Sequence, residues 1–208
     1  GVLNFCETYI GAFRYPELKF VEIPGLQGLN IGGGLIMAGT DDLKFISNGY
    51  YDGLYLTCIQ QWFGAGIFAK YGSPGFCLLS LSLPHYLRML YLKESQGDEA
   101  FNKELRGRFE KYKSFAGGDA DIPIIDIDYI NTAEKGQILY IKGPYIFFRL
   151  HQLLGDAKWN AFVQDLYKTF AGKVMSLDDF RIILNKYDSG SIIIDVFNTM
   201  ITTKGLPE

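Results

Sequence analysis

Leu56-Thr57-Cys58-Ile59-Gln60-Gln61-Trp62-Phe63-Gly64 is the stretch on which the reading of this chain turns. It lies in a span, Tyr50 to Lys70, whose apolar residues recur at helical spacing and predict a helix. A helix turns once in about 3.6 residues, so Leu56 and Gln60 project from one face while Cys58, roughly 200° round from each, looks the other way. An i, i+4 pair on one face is the arrangement in which two histidines grip a metal ion. Here the pair cannot do so: leucine has no lone pair, and a glutamine amide is a poor ligand beside imidazole. Thr57, next to Leu56, is no general base near neutral pH.

Three further stretches carry information. Phe76-Cys77-Leu78-Leu79-Ser80-Leu81-Ser82 is an apolar segment in which Leu79 follows Gln60 after eighteen intervening residues. Upstream, Gly28-Leu29-Asn30-Ile31-Gly32 runs into Gly33-Gly34-Leu35-Ile36. Downstream stands Tyr140-Ile141-Lys142-Gly143.

Together these resemble the catalytic domain of gluzincin aminopeptidases, the aminopeptidase N-like zinc metallopeptidases. In that family the zinc helix reads His-Glu-x-x-His-Gln-Trp-Phe-Gly or close to it. The resemblance puts Leu56 at the first histidine, Thr57 at the general-base glutamate and Gln60 at the second histidine, with Gln61-Trp62-Phe63-Gly64 unchanged. It puts Leu79 at the third-ligand glutamate and Ile31 at the glutamate that binds the substrate amine, within a vestigial substrate strand Gly28, Leu29, Asn30, Ile31, Gly32. Tyr140 matches the tyrosine that stabilises the oxyanion, and it alone survives among the catalytic positions. The likeness reaches Glu7 to Pro24 at one end and Phe180 and Gly205-Leu206-Pro207 at the other. A preceding β-sandwich domain is absent, which implies a catalytic-domain fragment or an unusually short parent protein.

The resemblance implies an α+β, mainly helical fold, a thermolysin-like (zincin) catalytic domain. Residues 1–48 would form a small mixed α/β lobe and residues 49–208 a helical lobe, together one domain. It also implies a pseudo-peptidase: catalytically inactive, with no cofactor and no metal at Leu56, Gln60 and Leu79, and with a binding or scaffolding role toward a peptide, a protein or other domains of a longer parent. The alternative is a metallopeptidase-like hydrolase with residual or altered activity through Tyr140. Buried carboxylates beside a divalent ion cost several kcal/mol each once the ion is gone, so losing the metal favours losing its anions. Apolar replacements then suggest a cleft that has closed, with Leu56, Ile31 and Leu79 buried and the Gln60 amide bonded to protein.

Composition restricts the alternatives. The 208 residues carry 20 basic and 23 acidic side chains and no basic cluster, which argues against nucleic acid and against an anionic membrane surface. Apolar content is ample for a soluble domain with a real core, and no apolar run reaches the roughly 18 to 20 residues of a spanning helix. The stretch from Gly1 lacks the form of a signal peptide. Cys6, Cys58 and Cys77 are odd in number and suggest no disulfide framework, so buried packing is their expected role. The two histidines, His85 and His151, lie far apart. A zinc site from Cys58, Cys77 and His85, or a Cys58 nucleophile with His85 as base, would need them to converge.

Elsewhere the pattern predicts a helix from Leu3 to Phe13, a strand from Leu18 to Ile23 and a second strand at Leu35-Ile36-Met37. The glycines Gly32-Gly33-Gly34 before it mark a close backbone approach and no phosphate cradle, since a strand follows instead of a helix. A helix from Gly75 to Tyr91 carries Pro84 as a possible kink. Glu99 to Tyr112 reads as a solvated charged helix and Phe115 to Tyr129 as a long loop. Helices follow over Ala133 to Leu154, Ala157 to Phe170, Ser176 to Tyr187 and Ser191 to Thr202, with Ser176 and Asp179 set as a capping pair.

Overall fold

The computed structural model describes residues 1–205. The likeness at Gly205-Leu206-Pro207 therefore falls mostly outside the described residues. Helix α1 (Val2–Tyr9) buries Phe5 and Cys6. Three short strands follow, β1 (Lys19–Glu22), β2 (Asn30–Gly32) and β3 (Leu35–Ala38). β3 is central, parallel to β1 with Lys19 opposite Leu35, and antiparallel to β2 with Asn30 opposite Met37. The β2–β3 hairpin turns at Gly33-Gly34. A Cβ on Gly33 would stand 2.7 Å from the Tyr15 ring, and one on Gly34 2.7 Å from the Glu17 carbonyl oxygen, so the close approach expected here is present.

Helices α2 (Thr40–Ser47) and α3 (Asp52–Ile59) come next, then strand β4 (Phe68–Ala69). The helix predicted from Tyr50 to Lys70 is thus cut at Gln60. The cause is glycine: Gly64 takes φ +149°, and a Cβ on Gly66 would lie 2.6 Å from the Trp62 carbonyl oxygen. The chain folds back there, with the Ile67 N–H donating to the Trp62 carbonyl at 2.8 Å.

Helix α4 (Leu83–Gln96) continues directly from a wide π-helical turn, Leu78–Ser82. After α5 (Asp98–Lys113) the long loop contains one 3-10 turn, Ile124–Asp126, and leads to α6 (Ala133–Gln137). A second π turn, Ile138–Lys142, joins α6 to α7 (Gly143–Leu154). Each π turn is followed at the helix start by proline, Pro84 or Pro144. Proline lacks an N–H and its ring presses on the carbonyl four residues back, here Ser80 or Tyr140. The helix accommodates it by widening, and the Tyr140 carbonyl accepts from the Arg108 guanidinium instead.

The chain closes with α8 (Asp156–Phe170), β5 (Val174–Met175), which pairs in parallel with β4, then α9 (Leu177–Asn185) and α10 (Ile192–Thr202). Ser176 caps α9: its Oγ accepts from the Asp179 N–H at 3.2 Å, and the Asp179 carboxylate accepts from the Ser176 N–H at 2.9 Å. Tyr86, Phe147, Trp159, Phe162, Phe180 and Phe197 are fully buried and join α4, α7, α8, α9 and α10 in one core. Among the described residues, no helix is long and apolar enough to cross a membrane.

Candidate functional site

The tail Gln61-Trp62-Phe63-Gly64 is a structural bracket. Gln61 is buried; its Oε1 accepts from the Gly34 N–H at 3.0 Å and its Nε2 donates to the Leu35 carbonyl at 3.2 Å, tying the end of α3 to the β2–β3 hairpin. Trp62 Nε1 donates to the Gly11 carbonyl at 2.7 Å, and Phe63 is buried in the core. A Cβ on Gly64 would meet the Gln60 carbonyl oxygen at 2.8 Å and Ile31 Cδ1 at 3.1 Å. Each of the four is required by packing or backbone bonding.

Around this bracket lies a cavity of about 660 Å³. Ile31 and Gln60 share its lining with Gly64, Phe76 and Leu81, while Phe68 and Tyr71 stand at the rim, Tyr71 84% exposed. The closed cleft expected from the sequence is therefore only half realised. Leu79 is buried at 3% exposure, but Leu56 and Ile31 are half-buried, and the Gln60 carboxamide finds no partner among the described residues. Leu79 is on the wide π turn and lies in the core cluster, which draws it inward. Thr57 is buried with its hydroxyl donating to the Gly53 carbonyl at 2.7 Å, one turn back. Of the strand segment singled out from the sequence, Gly28 and Asn30 are exposed, Leu29 packs toward Gly53, and Ile31 is the member that lines the cavity with Gly32 half-buried beside it.

Tyr140 does not line this cavity. Its ring lies 4.8 Å from that of His85, and it lines a separate groove beside Arg108 and Ile141. Burial and the neighbouring Cys77 push its hydroxyl pKa up. The rest of its motif is structural. Lys142 is fully buried, donates to the Thr203 carbonyl at 2.5 Å and lies 5.8 Å over the Tyr112 ring; burial lowers its ammonium pKa, and the Asp121 charge opposes that. Asp121, also fully buried, accepts from Tyr112 at 2.8 Å and from the Gly117 and Gly205 N–H groups at 2.9 and 2.6 Å.

No protein-family model matches the sequence, nor does any curated protein. Solved structures do match. An M1 zinc metallopeptidase from Deinococcus radiodurans superimposes over 100% of this chain with TM-score 0.79 at 16% identity, and a mutant of it bound to a Tyr-Ser-Ala substrate with TM-score 0.80 at 15%. Leukotriene A4 hydrolase from Saccharomyces cerevisiae superimposes over 99% with TM-score 0.79 at 16% identity. The fold is that of the M1 zinc metallopeptidases. The chain spans 44% of the length of the bacterial M1 structures and 34% of the yeast one.

The M1 fold implies zinc, and the residues that the sequence resemblance sets at the ligand positions do not fit it. Leu56, Gln60 and Leu79 offer one neutral amide between them. Among the described residues, no three His, Cys, Asp or Glu side chains come together to hold a metal ion. Cys58, Cys77 and His85 do not converge: Cys58 stands near Cys6, and burial pushes its thiol pKa up to about 11, which keeps it protonated and unreactive. The His85 pKa is pushed down to about 3 by burial and by Arg108 and Arg88.

One polar constellation was not legible in the sequence of this M1-like chain. Buried Arg88 pairs with Asp52 at the start of α3 and with Glu104 on α5, and Arg108 meets the same Glu104 at 2.6 Å. The three helices are pinned together there. Glu104 and Arg108 are an i, i+4 pair on α5, but Arg88 lies 36 residues from Asp52 and 16 from Glu104, and nothing local marks those as partners.

Proposed function

We propose that this chain is a catalytically inactive aminopeptidase-like domain in which Leu56, Thr57, Gln60 and Leu79 are vestigial positions, and that the cavity lined by Gln60 and the substrate-strand position Ile31 serves binding in place of hydrolysis. The ligand is a peptide segment with apolar or aromatic side chains, held in the cavity over Ile31, Gln60 and Phe76. The observation that carries this reading is the contrast between neighbours: Gln61 to Gly64 are kept and each is structurally engaged, whereas Leu56, Gln60 and Leu79 have no ligand chemistry left. A preformed, mostly apolar cavity with few polar groups is what a binding site needs. Tyr140, turned to another groove, has no activated water to work with in this reading.

Elemental analysis of the purified protein, combined with an aminoacyl-anilide assay, tests it. The expected result is no stoichiometric zinc and no turnover. Stoichiometric zinc, or turnover abolished by a chelator, would overturn the proposal in favour of a metallopeptidase-like hydrolase.

A further inference from the structure

The groove that Tyr140 lines lies between α4, α5 and the second π turn and measures about 700 Å³, within the roughly 300 to 1,000 Å³ of ordinary ligand pockets. Its apolar surface comes from Leu92, Ala100 and Ile141. Along α5 it runs from Ala100 to Lys111, roughly 16 Å at the helical rise. Three cations line it, Lys103, Arg108 and Lys111, against one carboxylate, Glu104. That carboxylate is already held by Arg88 and Arg108, while neither lysine has an ion-pair partner among the described residues.

Gly107 is the second, independent observation. It sits in the middle of α5 and on the groove, where glycine costs about 1 kcal/mol of helix stability relative to alanine. No packing contact requires it, since a Cβ there would meet nothing within 4 Å. Its φ is not in the left-handed region either. What the missing side chain does is leave the groove open at its centre.

We infer that this groove binds a small amphiphilic carboxylate, its aliphatic chain on Leu92, Ala100 and Ile141 across Gly107 and its head group in the field of Lys103, Arg108 and Lys111. An apolar floor alone would take a neutral ligand; the surplus of positive charge selects an anion. The site is separate from the cavity over Ile31 and Gln60, and the inference does not rest on the pseudo-peptidase reading.

Calorimetric titration of the whole chain with monomeric dodecanoate tests it, with dodecyltrimethylammonium and dodecanol as comparators. The expected result is one dodecanoate per chain and no binding of the cationic amphiphile. Gly107→Leu, which fills the groove, should weaken binding about tenfold or more. Gly107→Ala controls for the loss of glycine and should leave binding within a few-fold. Lys103→Glu with Lys111→Glu should weaken it by about tenfold. Absence of dodecanoate binding, equal affinity in Gly107→Leu, or loss of binding on blocking the other cavity with Ile31→Trp would each overturn the inference. So would binding to anionic-lipid vesicles without binding of free dodecanoate, which would assign a membrane surface instead.

Discussion

A Cβ on Gly143 would stand 2.0 Å from the Ser82 hydroxyl oxygen and 2.3 Å from the Ser82 Cβ, so the two π-turn segments meet with no room for a methyl group. Ser82 uses that proximity to donate to the Leu139 carbonyl at 2.7 Å, inside the protein. Gly143→Ala should therefore push the segments apart and cost about 2 to 3 kcal/mol. Urea unfolding measures this. Combining it with Ser82→Gly should cost less than the sum of the two single changes, because the clash is shared. A Gly143→Ala protein as stable as the parent would refute the contact.

Gln60 and Gln61 are chemically identical neighbours with opposite expectations. Gln61→Ala leaves the buried Gly34 N–H without a partner and removes a donor from the Leu35 carbonyl, and should cost about 2 to 3 kcal/mol. Gln60→Ala removes a side chain that bonds to nothing described and should stay within about 0.5 kcal/mol. Equal losses at the two positions would contradict the division between bracket and cavity.

Much of this was legible beforehand, for identifiable reasons. The capping pair Ser176 and Asp179 is a local signal with a local outcome, and it marks the start of α9. The mainly helical M1-type fold follows from landmarks at fixed distances. The sequence predicts a helix running on past Gln60 because Trp62, Phe63 and Ile67 continue an apolar run; they are core residues supplied by a tight loop, and Gly64 and Gly66 are its signal. Pro84 announced a disturbance, but widening instead of kinking depends on how the turn packs against its neighbour. The charge density of α5 predicts a solvated helix, yet Phe101 and Tyr112 on it are buried, because its apolar residues at helical spacing pack on the core.

Leu79 offers a test of the proposed vestigial site by restoration. Leu79→Glu alone buries an unpaired carboxylate in the core and should destabilise by several kcal/mol, on the order of 3 to 5. With Leu56→His and Gln60→His added, zinc should raise the melting temperature of the triple variant and leave Leu79→Glu alone unchanged. Thermal melts with and without zinc decide this. Equal zinc response in both proteins would mean that these positions do not form one site.

His85 makes stability depend on pH. Its ring stays neutral in the folded protein down to about pH 3, whereas the unfolded chain takes up a proton below 6.5. The unfolded state then binds more protons, so stability falls as pH drops through 6.5 toward 3. Allowing for its partly exposed edge, His85 should account for about 1 to 2 kcal/mol between pH 8 and pH 5. His151 is shifted downward too and acts with the same sign. Urea midpoints of the parent and His85→Phe at both pH values check the share of His85. A variant with the same pH dependence as the parent would rule it out.

Gln61 joins the end of α3 to the hairpin through two buried hydrogen bonds, and the cavity wall on each side of that joint, Gln60 on one element and Ile31 on the other, is held at a set separation. A pocket built this way has little freedom to shut around a guest. Recognition there would be of the rigid-receptor kind: a small ordering penalty on the protein's side, association not slowed by a conformational step, and selectivity decided by the shape the guest brings.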